Sequence, residues 1–156
     1  MPEASMRQDV PSLVLSAIGR AKPDAESARQ RITKVLAGLQ SGPAVPPMEL
    51  EKIINQGLIA DWRIVAGYET LVAIAEATYF RPDQLAGCLS DARREISDRA
   101  RAVFMMRDQW KGGGYPKTGV ELVRCLTIYL EPFYRAGGAE QILVAITGEN
   151  LSEEEA

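Results

Sequence analysis

Histidine is absent from this 156-residue chain. That removes the commonest general base and the commonest transition-metal ligand in one stroke. Serine, threonine and cysteine are present, but no imidazole stands ready to activate them, and neither cysteine adjoins a basic cluster. Lysine or carboxylate chemistry has no motif to support it. The chain reads as non-enzymatic, with no cofactor and no metal expected.

Cysteine is nearly absent as well. Cys88 and Cys125 both lie among apolar residues at helical spacing, whereas a secreted, stapled scaffold draws on a denser cysteine framework. Two reduced, buried thiols in a cytoplasmic protein are the expectation. No long apolar run occurs: the neighbourhood 71–77 is flanked by Glu69 and interrupted by Glu76, far short of a membrane span. The first residues show no basic segment leading into an apolar stretch, so a secretory leader is not expected there. An excess of positive charge is missing too. Eighteen basic residues face 21 acidic ones, a net charge of −3. A net-negative chain is not drawn at long range to nucleic acid or to an anionic membrane. Nucleic acid is therefore the disfavoured partner, and no membrane partner is expected.

Strand patterning is also scarce, and what remains is helical nearly throughout. Ala28, Ile32, Val35, Leu36 and Leu39 make one apolar stripe. Residues 41–47, Ser-Gly-Pro-Ala-Val-Pro-Pro, interrupt it, because three prolines and a glycine continue neither a helix nor a central strand. From Leu58 to Phe80 the chain is apolar on most sides, which marks a central helix. A long amphipathic helix spans 82–111, opened by Pro82 and stopped by Gly112-Gly113-Gly114. Thr118-Gly-Val-Glu121 is a capping box that starts another largely buried helix, to about Arg135. Gly19, Gly57 and Gly137-Gly138 read as stops or turns, Gly67 and Pro132 as bends, and 140–146 as a helix or a short strand. The expected fold is an all-α, compact single-domain bundle of six to eight helices. Residues 1–22 form a peripheral arm with a short helix, 23–148 the helical domain, and 149–156 an acidic tail expected to be disordered.

Three constellations bear on function. The loop Lys111-Gly-Gly-Gly-Tyr-Pro-Lys-Thr118 resembles a phosphate cradle only superficially. Pro116 removes an amide donor before Lys117, and the element upstream is a helix rather than a strand. A flexible connector with Thr118 as helix cap is the plainer reading. Along the long helix, Arg93, Arg94, Arg99, Arg101, Arg107 and Lys111 alternate with Asp91, Glu95, Asp98 and Asp108. Interleaved signs at helical spacing usually make a solvated face laced with ion pairs. The third pattern is a seam. Leu85, Leu89, Ala92, Ile96, Arg99, Val103, Met106 and Trp110 fall at alternating steps of four and three, a heptad run apolar except at Arg99. It packs either within the bundle or against a second chain. Arg99, placed inward, is expected to be buried and paired with Glu69 or Glu76. Those two glutamates do not make a di-metal site, which would draw on Glu-x-x-His motifs.

The expected function is a protein–protein interaction module, an adaptor, regulator or assembly component that associates with a protein partner or with itself as a homodimer through the helical seam. The alternative is binding of nucleic acid or a phosphorylated ligand through the basic helix 93–111 and the Gly-rich loop 111–119. The candidate interaction or anion contacts are Arg93, Arg94, Arg99, Arg101, Arg107, Trp110, Lys111 and Lys117.

Overall fold

A computed structural model describes residues 2–80 and 85–147. The proposed restart at Arg81-Pro82-Asp83 and the acidic tail 149–156 lie outside the described residues. Among the described residues the chain is all-helical, with no strand and four helices. Helix α1 is Pro2–Leu39. Helix α2 spans 47–80, as Pro47–Ile53, a π-turn Ile54–Leu58, and Ile59–Phe80. Helix α3 is Leu85–Gln109 with a widened last turn Trp110–Gly114. Helix α4 spans 119–147, as Gly119–Cys125, a π-turn Leu126–Leu130, and Glu131–Thr147.

Six to eight helices is therefore a miscount, and its cause is physical. Gly57 does not end a helix. It sits inside the first π-turn, where the amide of Ile59 reaches back five residues to the carbonyl of Ile54. Pro132 does not cut α4, because it is the second residue after the second π-turn. A proline has no amide to donate and crowds the carbonyl four residues back, and the wider turn there already changes the hydrogen-bond register. Gly67 is buried with Ile142 of α4 3.3 Å from where its Cβ would stand. Gly137-Gly138 is helical, not a turn, and a Cβ on Gly138 would lie 2.7 Å from Arg63 Cα. Residues 140–146 are helix. Helix α1 likewise continues through Gly19 and Pro23 without a break.

Helix α2 is the centre of the bundle, packed on α1 along one side and on α4 along the other, while α3 rests mainly on α4. The α1 stripe does what its spacing predicts. Ala28, Ile32 and Leu39 are buried, with Val35 and Leu36 half-buried against the same core. Trp62, Leu122 and Leu126 are fully buried at its middle. A smaller cluster, Val14, Ile74 and Leu143, closes the other end. Asp61 is buried at the α1–α2 contact, where Arg31 donates to both carboxylate oxygens at 2.9–3.2 Å. That bond holds the Arg31 guanidinium in its charged form.

The connector 40–46 is pinned across the bundle to the segment that opens α4. Ala44 N–H donates to Lys117 carbonyl at 3.0 Å, and Gly119 N–H to Gly42 carbonyl at 2.8 Å. Glycine is obligatory at 119, since a Cβ there would stand 2.1 Å from the Leu39 carbonyl oxygen. Thr118 caps α4 as its sequence predicts, its hydroxyl accepting from Glu121 N–H at 3.2 Å.

Candidate functional site

Among the described residues, two gaps between α2, α3 and α4 differ in chemistry. The larger, about 500 Å³, has six alanines in its walls and carries Glu69, Glu95, Arg99 and Arg135. Its charges are spoken for. Glu69 accepts from Arg29 at 3.1 Å and is also ion-paired with Arg135, which in turn reaches Glu131 at 3.5 Å. Burial, helped by repulsion from Arg29, lowers the Arg135 pKa. Arg99 does not pair with Glu69 or Glu76. Its nearest carboxylate is Glu95, one turn back on its own helix at 3.7 Å, and its side chain is 37% exposed. Glu69 is already held by the other two arginines, so the inward heptad position leaves Arg99 at the mouth of the gap rather than in a buried pair.

The second gap, about 400 Å³, lies where the helices depart from regular geometry. Leu50, Ile54 and Asn55 come from the first π-turn of α2 and the turn before it. Met106, Arg107, Trp110 and Lys111 come from the end of α3, and Leu130 and Tyr134 from and after the second π-turn. Each π-turn holds one residue more than an α-turn and so re-aims the side chains around it. The aromatic walls are fixed from behind. Tyr134 stacks on the buried Trp62 with ring centres 5.7 Å apart. Tyr115 meets Trp110 edge to face at 5.1 Å and donates its hydroxyl to the Val45 carbonyl at 2.6 Å. Its burial raises the phenol pKa, keeping the donor protonated. Nearby, burial also pushes the Glu131 carboxyl up. Arg107, Lys111 and Glu51 stand at the rim. Among the described residues none of the three makes an ion pair.

The eight sequence candidates are thus divided. Arg107, Trp110 and Lys111 converge on this second gap. Arg99 lines the first. Arg94 is exposed and pairs with Asp91 at 3.7 Å. Arg93 is half-buried, and Arg101 and Lys117 are exposed. The Lys117 carbonyl accepts from Ala44 N–H, which ties the end of the Gly-rich loop to the connector. Four described positions of the heptad seam turn into the chain's own bundle: Val103 and Met106 are buried, Trp110 packs on the main core and Ala92 on the smaller cluster. The side chains of Leu85, Leu89 and Cys88 lie outside the described residues. Cys125 is a free, half-buried thiol, its pKa raised chiefly by burial. Sequence reasoning missed Leu50, Tyr115 and Tyr134, which reach the site from three distant stretches.

No known protein family, curated protein or solved structure matches this chain. Among the described residues no helix is long and apolar enough to cross a membrane.

Proposed function

We propose that this chain is a non-enzymatic protein–protein interaction module that self-associates through the outer face of α3. One observation carries the reading. Phe104 and Met105 stand side by side on that helix with 65% and 67% of their surface in water. Scattered apolar residues need no explanation, but an adjoining aromatic–methionine pair is the composition of an interface core, where Phe and Met are enriched. Val103, Met106 and Trp110 of the seam pack on the chain's own core, so a second copy would meet this neighbouring face instead. Arg101 and Asp108, three residues before and four after Phe104, offer opposite charges for a two-fold contact.

Light scattering across a concentration series tests it. The expected mass rises from 17.1 kDa towards twice that value, and the double variant Phe104→Ser, Met105→Ser stays monomeric with unchanged thermal stability. A wild-type chain that remains monomeric at high concentration overturns the reading, as does a double variant that still dimerises.

A further inference from the structure

We propose that the 400 Å³ gap between α2, α3 and α4 binds a small organic anion, an aromatic body carrying one acidic group. Its volume falls within the range of about 300–1,000 Å³ typical of small-molecule sites. The floor is apolar, formed by the buried Leu50, Ile54, Met106 and Leu130. Three aromatic side chains line it, Trp110, Tyr115 and Tyr134, and all are held from behind by stacking, an edge contact or a hydrogen bond. Walls fixed in advance need no ordering when a flat ligand enters, which is where affinity is usually lost.

The second observation is the backbone. Two helices carry an internal π-turn and a third a widened end, and residues of all three line this one gap. Such turns are rare and gather at functional sites. Three irregular turns around one hollow set it apart from the regular packing of the rest of the bundle.

Charge selects the ligand. Arg107 and Lys111 are one helical turn apart at the rim, exposed, and without an ion pair among the described residues. Among the described residues Glu51 opposes them as the single acid lining the gap. Two cations to one carboxylate favours an anion, whereas the larger gap has its charges mutually satisfied. The proposal does not depend on self-association.

The probe pair is 1-anilinonaphthalene-8-sulfonate and its uncharged counterpart N-phenyl-1-naphthylamine, titrated into the full chain by fluorescence. The sulfonate is expected to bind saturably at one site, at least about tenfold more tightly than the neutral amine. That factor corresponds to about 1.4 kcal/mol. The variant Arg107→Gln, Lys111→Gln, both exposed positions, should abolish the tenfold preference, the sulfonate falling to the affinity of the amine for the same variant. Asn55→Trp, which places a bulky ring at the mouth, should weaken both probes. Equal affinities in the wild type overturn the proposal. So does a sulfonate affinity that survives the charge variant, or uptake at several equivalent sites.

Discussion

At the scale of single residues, Arg99 and Thr118 show how context sets the worth of a polar group. A guanidinium at an apolar heptad position would, if buried and paired, cost about 3–5 kcal/mol to unpair. Arg99 instead shares a 3.7 Å contact with Glu95, whose side chain is mostly in water. Exposed pairs one helical turn apart contribute only a few tenths of a kcal/mol. Thr118 satisfies an amide that has no other protein acceptor at the start of α4. In urea titrations Arg99→Ala and Arg99→Met should each stay within about ±0.5 kcal/mol of the wild type. Thr118→Ala should lose about 0.5–2 kcal/mol. A marked loss at Arg99 together with a silent Thr118 would mean that the register of α3 or the cap of α4 is misassigned.

At the scale of helices, glycine has two opposite meanings in this chain. Gly113 closes the last turn of α3 and Gly42 turns the connector after α1, with φ of 100° and 71°, because only glycine takes the left-handed conformation at no steric cost. Gly138 serves instead to let α4 touch the backbone of α2 at Arg63. Gly57 does neither, and its Cβ would meet open space. Gly57→Ala is therefore expected to raise stability by about 0.5–1 kcal/mol, and Gly138→Ala to lower it by about 1–3 kcal/mol as the helices are forced apart. Thermal melts of the two variants, with opposite signs of shift, check the assignment. The same distinction marks what was legible beforehand. The all-α class, the α1 stripe, the Thr118 cap and the breaks at 41–47 and 112–116 follow from local pattern. Gly57, Gly137 and Gly138 look identical to terminators in a string of letters, yet a π-turn carries the chain through Gly57 and close packing on Arg63 of α2 keeps Gly138 helical. For the candidate site, the basic residues and Trp110 stand out as one helical group. Tyr115, Tyr134 and Leu50 do not, because each is an ordinary core residue until the π-turns bring it to a shared hollow.

At the scale of the whole molecule, the order of helices in space differs from their order in the chain. Helix α4 lies between α2 and α3, so the last helix completes a core that the first two begin. The main cluster draws Leu122, Leu126 and Leu130 from α4 and Ile54, Leu58 and Trp62 from α2. Its ends are tied where α1 gives way to the connector, through Ala44–Lys117 and Gly42–Gly119. The covalent passage from α3 to α4, by contrast, runs through the exposed glycines 112–114, the kind of loop tip that proteases nick and chains tolerate as new ends. The bundle should accordingly survive as a two-piece molecule. Cleavage at Gly113 would divide it into a three-helix receptor and a 43-residue ligand (114–156) that is its own fourth helix. The nicked protein is expected to travel as one species on native gel filtration and to part into two only in denaturant. Prompt release of the shorter piece would show that the glycine loop, rather than the buried face of α4, holds the halves together. If the pieces stay joined, the same cut makes a reconstitution pair, able to report by regained fluorescence of Trp62 whenever two halves meet.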